Sequence, residues 1–148
     1  MDDLTEKLIF KVLDPEATVP KYMTPGASGM DITSIEEIKV PGSRVSMIRT
    51  GLAAHIPEGY ELQCRSRSGL ALKGVVVANS PGTIDSDYRG EIKVLLHNTT
   101  SLDFWVFPGD RIAQLVLAKV HKLPIEVTED ELDDTARGSG GFGSTGRN

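Results

Sequence analysis

The sequence predicts an all-β fold: a sandwich, a jelly roll or a barrel. Three observations predict it. Short apolar or alternating runs recur along the chain, clusters of Gly, Pro, Asn and Asp separate them, and no long stretch carries the helical period. Leu8 to Leu13 is apolar apart from Lys11 and stops at Asp14-Pro15, which reads as a strand. Met30 to Ile35 reads as a second. Arg44 to Ile56 is rich in apolar and β-branched residues and is entered from the Pro41-Gly42 turn. Tyr60 to Cys64 alternates after Pro57-Glu58-Gly59, and Val75 to Val77 is a short run of the buried type. Ser80-Pro81-Gly82 and Arg89-Gly90 are the next turn signals, and Glu91 to Leu96 follows them. Phe104 to Phe107 leads into Pro108-Gly109-Asp110, and the long stretch Arg111 to Val120 closes the series. One helical turn is expected, at Ser68 to Lys73, too short to stand alone.

A length of 148 residues suits one domain, spanning 1–148, with enough buried surface to need no disulfide. Cys64 is the only cysteine, which fits a reducing compartment, and His55, His97 and His121 are too scattered for a zinc motif. MDDLTEKLIF opens on acids and resembles neither a signal nor a transit peptide, so the cytoplasm is the expected compartment, with the nucleus left open. No apolar run reaches the length of a membrane helix. The net charge of −5 argues against a general nucleic-acid surface, and an anionic ligand would need local positive charge or a cation. The acidic stretch Thr128 to Asp134 reads as a solvated connector, with a partner-binding motif as the other reading.

The C-terminal segment RGSGGFGSTGRN is too glycine-rich to join a core, yet it carries Phe142. Gly138 and Gly143 match the spacing of a nucleotide phosphate loop, and Thr145 stands where its Ser/Thr belongs. Ser144 replaces the lysine, however, and three residues after Thr145 leave no helix to open, so that reading fails. The chemistry survives without it. Glycine N–H groups, Gly143 among them, the Ser144 and Thr145 hydroxyls and the Arg137 guanidinium suit phosphate, and the Phe142 ring suits a base. Residues 135–148 are therefore expected to be either a mobile lid over a phosphorylated nucleoside or a frayed end. Ordering such a lid costs roughly 1–2 kcal/mol per residue, which only a ligand with many polar contacts offsets.

GASGMDI (Gly26 to Ile32), RSRSGLALKG (Arg65 to Gly74), NSPGTIDSDYRGE (Asn79 to Glu91) and PGDRIAQL (Pro108 to Leu115) precede the tail in that order. Together the five motifs resemble those of the trimeric deoxyuridine triphosphatases, the dUTPases, from about Ala17 to Gly146. The sequence departs from that pattern at Met30, where an aromatic is usual, and at Ser66, where proline is usual; packing rather than chemistry is in question there. The resemblance implies a jelly-roll-like dUTPase fold with one short helix and a flexible tail. It implies hydrolysis of dUTP to dUMP and pyrophosphate, which limits uracil incorporation into DNA and supplies dUMP for thymidylate synthesis. It also implies a homotrimer whose active sites are each shared by three chains, and Mg²⁺ held by the substrate phosphates and water rather than by a protein cage.

Roles follow residue by residue. Asp85 is implied to be the general base for the attacking water. Asp87, two residues on, would face the same side of an extended chain; the plainer reading makes both turn aspartates. Tyr88 is implied to pack under the deoxyribose and exclude a 2′-hydroxyl, against a plain edge tyrosine. Asn79, whose amide offers a donor and an acceptor, is implied to read uracil together with the Gly82, Thr83 and Ile84 backbone; NSPG is also a turn signal. Lys93 is a weaker candidate on the following strand. Arg67, Ser68 and Gly69 suit phosphate, and Ser68 could equally cap the short helix. Gln114 is implied to lie near the α-phosphate and the water, though alternation leaves its facing open. Asp31 is placed near the triphosphate and metal, in the outer shell. Asp110 and Arg111 are left to pair with each other, with neighbouring chains, or, for Arg111, with phosphate. Two other functions stay in view: a dCTP deaminase of the same fold, and a nucleotide-switched regulatory binding protein.

Overall fold

The computed structural model describes residues 6–147; the ends of the expected 1–148 domain, residues 1–5 and 148, lie outside the described residues. Among the described residues, eleven strands and one short helix follow in the order β1 (Ile9–Val12), β2 (Gly29–Thr33), β3 (Ile38–Val40), β4 (Val45–Arg49), β5 (Leu52–His55), β6 (Tyr60–Arg65), α1 (Ser68–Leu72), β7 (Val75–Val77), β8 (Gly82–Ile84), β9 (Lys93–Asn98), β10 (Phe104–Val106) and β11 (Arg111–Lys119). The expected all-β, jelly-roll-like architecture is what the chain adopts. All strand pairings are antiparallel, in sheets ordered β2-β11-β6-β8, β4-β9-β7, β1-β5 and β10-β3. They surround one apolar core that includes Ile32, Val40, Ile48, Leu52, Leu62, Val94, Leu96 and Leu115.

The differences from expectation have local causes. Arg44 to Ile56 is two strands, because Gly51 adopts φ +70 and turns the chain between β4 and β5. β3 is a short strand outside the runs named from the sequence, and β8 begins within the Ser80-Pro81-Gly82 turn signal and ends just before Asp85. Residue alternation is clean in β9, where Val94, Leu96 and Asn98 are buried. Asn98 survives there because its amide donates to the Val40 and Leu102 carbonyls, at 3.0 and 2.6 Å, and accepts from Thr100. Met30 is buried in the core, so its departure from the family pattern is a matter of packing.

After β11 the chain leaves the body. Residues 121–139 are exposed throughout, and Leu123, Ile125 and Val127 alternate with polar or proline positions and stay in solvent. No described helix is long and apolar enough to cross a membrane.

Candidate active site

The long strand β11 is the organiser. Its pairing with β2 shifts between Arg111 and Ala113, so Ile112 and Ala113 are both buried and the alternation restarts one residue later. That bulge settles the facing of Gln114. Its side chain turns away from Leu115 and the core, lying half-buried between Asp31 of β2 and Arg65 of β6, its register partners. Gln114 Nε2 donates to the Ser66 carbonyl at 3.0 Å, and its Oε1 packs on Gly29, where a Cβ would collide with it. Gly29 therefore belongs to the site, and the only hint of it in the sequence was its place in GASGMDI.

Three motifs meet here. Arg67 Nε lies 3.2 Å from Asp31 Oδ1, and Arg67 also donates to the Arg111 carbonyl at 3.0 Å. Arg111 reaches the other Asp31 oxygen at 3.7 Å. Asp110 pairs differently from the expectation: it accepts the Phe107 N–H at 2.9 Å and so closes the Pro108–Gly109 turn, leaving Arg111 to Asp31. One carboxylate thus lies between two guanidiniums. Beside them is a cavity of about 350 Å³ whose lining includes Arg67, Lys73, Arg111 and Asp110. Three cations against one lining carboxylate give this surface the positive sign that the protein as a whole lacks.

Ser68 is not the helix cap. Arg67 occupies that position with extended backbone and no side-chain capping bond, and Ser68 opens α1. Ser68 and Gly69 are exposed at the helix start, and α1 buries no residue. Ser66 does more than the missing proline could. Its N–H donates to Ser80 Oγ at 3.3 Å and its Oγ accepts the Val77 N–H at 2.8 Å, which ties the second motif to β7.

The third motif forms a different cavity, of about 410 Å³, lined by Asn79, Thr83, Ile84, Asp85, Tyr88 and Lys93, with Met47, Glu91, Ile92 and Leu95 completing it. β8 pairs with β6 and places Thr83 and Ile84 on the sheet edge. The Asn79 amide packs on Gly82, 3.1 Å from where a Cβ would stand. Asp85 and Asp87 do not alternate along an extended strand. Tyr88 N–H donates to the Asp85 carbonyl at 3.1 Å, so the two acids occupy the first and third positions of a tight turn. Asp85 is exposed and also borders an acidic opening lined by Glu58, Glu61 and Asp87. Tyr88 lies on Gly90, whose absent Cβ would come 2.5 Å from the phenol oxygen, and its hydroxyl donates to the Glu91 carbonyl at 2.8 Å.

The tail joins neither cavity. Its hydrogen bonds close on themselves: Arg137 Nε to the Gly140 carbonyl at 2.8 Å, Gly138 N–H to Thr135, and Ser144 N–H to Gly141. Phe142 and Gly143 both have positive φ, 51° and 85°, and the Phe142 ring is fully exposed. A non-glycine residue held there carries strain of about 1–2 kcal/mol, the kind of outlier that accompanies ligand clamps. Within one chain, then, the predicted site residues form three separate groups.

The chain is similar to known proteins along nearly its whole length. A family model described as dUTPase matches residues 15–146. A deoxyuridine 5′-triphosphate nucleotidohydrolase of Helicobacter pylori (strain Shi470) is 51% identical over 141 residues, covering 95% of this chain and 97% of the relative. One from Chlamydia pneumoniae is 55% identical over 142 residues, covering 93% and 97%. The Staphylococcus bacteriophage 80alpha dUTPase, solved with dUPNHPP, superimposes with a TM-score of 0.88 at 27% identity, over 97% of this chain and 100% of that one. A mutant dUTPase of phage phi11 of S. aureus, whose structure details the coordination of a structural Mg(II) ion, shares the fold at a TM-score of 0.78 and 24% identity, over 84% of this chain and 98% of that one. With five motifs in order, a shared fold and relatives matched along nearly their whole length, the chain belongs to the dUTPase family.

Proposed function

We propose that this enzyme hydrolyses dUTP to dUMP and pyrophosphate by direct in-line attack of water on the α-phosphorus. The Asp85 carboxylate takes the proton of the attacking water as the new P–O bond forms, and the bond to the leaving pyrophosphate breaks on the opposite side. The observation that carries this reading is the third-motif cavity: one pocket brings an amide, a sugar-sized aromatic wall and an exposed carboxylate together.

In it, Asn79 and the Gly82–Ile84 backbone complement the O4 and N3–H of uracil, whereas cytosine would leave those groups mismatched. Tyr88 acts by shape. Its hydroxyl is already engaged with Glu91, so the ring face is what it offers the sugar. Lys93 lines the same pocket. Arg67, Ser68, Gly69 and Arg111 surround the phosphates, and Gln114, fixed through Ser66, stands beside them. Asp31 already serves two arginines, and among the described residues no three metal-ligating side chains converge. That donor set fits a cation carried by the triphosphate, with Asp31 accepting from its water shell. Mg²⁺ bound in this way would offset charge on the phosphates.

The remaining groups support a homotrimer with shared sites, for which the cytoplasm is the proposed compartment. One chain separates the third-motif cavity from the Asp31–Arg67–Arg111 cluster, and neither is touched by the tail. The exposed arm bearing Leu123, Ile125 and Val127 has the alternation of a strand seeking a sheet on a second copy. Residues 135–148 then close over the nucleotide, with Arg137, Ser144 and Thr145 toward phosphate and Phe142 toward the base.

The test is pyrophosphate release from each deoxynucleoside triphosphate with and without Mg²⁺, repeated with Asp85→Asn. Release confined to dUTP, lost in Asp85→Asn while dUTP still binds, is the expected outcome. Turnover surviving that substitution, or ¹⁸O from labelled water appearing in pyrophosphate rather than in dUMP, overturns the mechanism.

A further inference from the structure

We propose that Glu91 is a positioning residue that sets the Tyr88 ring and, through it, the discrimination between deoxyribose and ribose. The inference rests on the reading of Tyr88 as the sugar wall.

The Tyr88 ring has two anchors. Gly90 supplies the flat seat, and the Glu91 main-chain carbonyl accepts the phenol hydrogen at 2.8 Å. The position of the ring is therefore only as well defined as that of the Glu91 peptide. The Glu91 side chain is one of the ties that fix it. Its carboxylate, 15% exposed, accepts Arg49 Nε with both oxygens at 3.2 Å and the Gly51 N–H at 3.1 Å. Gly51 is the positive-φ turn between β4 and β5. The next residue is held at the same corner: Ile92 N–H donates to the Leu52 carbonyl at 2.7 Å, and Thr50 Oγ1 donates to the Ile92 carbonyl at 2.5 Å. A strand corner made by β4 and β5 thus grips the chain immediately after the sugar wall.

The carboxylate is not free for a ligand, since both its oxygens are engaged. A negative charge would also repel a triphosphate, so Glu91 acts through Tyr88 and not on substrate. Glu36 reaches Arg49 at 4.0 Å and extends the same cluster. If the carboxylate is lost, the carbonyl that holds the phenol has freedom to shift, and the ring can give way to a 2′-hydroxyl. Steric selection of this kind depends on rigidity rather than on attraction.

The measurement is kcat/KM for dUTP and for UTP, followed by pyrophosphate release, in Tyr88→Ala, Glu91→Ala, Glu91→Gln and Arg49→Leu. Tyr88→Ala is expected to erase most of the preference for dUTP. Glu91→Ala should lower that preference on the order of tenfold, the scale of a small steric misfit in a pocket. Glu91→Gln, whose amide oxygen still accepts the Gly51 N–H, should keep most of it, and Arg49→Leu should fall between. Equal losses on both substrates in Glu91→Ala, with the preference unchanged, would show a merely structural residue and overturn the inference. Should Glu91→Ala not fold, an unaltered preference in Arg49→Leu overturns it instead. An unaltered preference in Tyr88→Ala removes the sugar-wall reading itself, and this inference with it.

Discussion

Substituting Gly29 by alanine should damage the site by displacing the Gln114 amide. The backbone at Gly29 does not require glycine, since its φ is not among the positive ones. Alanine there should even gain about 0.4–1 kcal/mol by restricting the unfolded chain. The cost comes from Gln114. A Cβ on Gly29 would overlap Gln114 Oε1 and come 3.2 Å from its Cδ and 3.4 Å from its Cβ. The amide must swing away, giving up its 3.0 Å bond to the Ser66 carbonyl. Losing that bond and leaving half-buried polar groups without partners costs roughly 1–3 kcal/mol. The net expectation is a loss of about 1–2 kcal/mol, or roughly 2–8 °C in melting midpoint at the 2–4 °C per kcal/mol of chains this size. A double-mutant cycle isolates the cause. In a Gln114→Ala background the colliding amide is gone, and Gly29→Ala should become neutral or stabilising. Thermal melts at one fixed protein concentration give all four corners of the cycle. If Gly29→Ala costs the same with and without the glutamine, the steric argument is wrong.

Three further outcomes are expected. A protease that cleaves after arginine should cut near Arg137 more slowly in the presence of a nonhydrolysable dUTP analogue than with dUMP or no ligand; equal rates would remove the lid. Placing aspartates at Leu123, Ile125 and Val127 should convert the proposed trimer to monomers and abolish turnover while leaving the β-rich far-UV spectrum intact, read by sedimentation and pyrophosphate release; an active trimer would sink the arm's role. Burial pushes the Cys64 thiol up from 9.0 to about 11. Its folded pKa lies above its unfolded one, so the stability it contributes is complete below pH 9 and is lost as pH rises toward 11. Alkylation of Cys64 should accordingly be slow near neutral pH until the protein unfolds, and rapid labelling of the native protein would contradict its burial.

What the sequence made legible was whatever depends on local chemistry. Turn residues marked most element boundaries, and apolar runs named most strands, because Gly, Pro and β-branched residues act through their own backbone preferences. The candidate residues were legible through their motifs. What stayed hidden was phase. The bulge between Arg111 and Ala113 inserts one residue into the alternation, and no local signal in GDRIAQL tells on which side Gln114 emerges. The turn at Asp85, by contrast, was legible as one of two readings of TIDSDY, and the Tyr88 N–H to Asp85 carbonyl bond selects it over the extended chain. Gly29, Ser66 and Glu91 were hidden for a related reason. Each works through a contact with a residue far along the chain: Gln114, Val77 and Arg49 respectively. Ser66 shows the consequence. As a departure from a motif it put packing in question, yet its N–H and hydroxyl supply two anchors, neither of which proline could make.

The same distinction between local and distant contacts applies to the C-terminal fifth of the chain. Val120 to Asp134 is fifteen residues without strand or helix, followed by a tail whose polar groups, among the described residues, bond to one another. Extended at about 3.3 Å per residue, that arm spans roughly 50 Å. A domain of this length has a radius of gyration of about 15 Å, hence a diameter on the order of 40 Å. The arm is therefore long enough to cross a neighbouring subunit, and longer than it need be to fold back on its own. Its acidic run Thr128 to Asp134 would be repelled by a triphosphate, while Arg137 and the glycines beyond would be drawn to one. An arm that carries apolar residues first, acids next and an arginine among glycines last has the order that the proposed lid requires: docking on one surface, clearing the ligand, and closing over it from a distance.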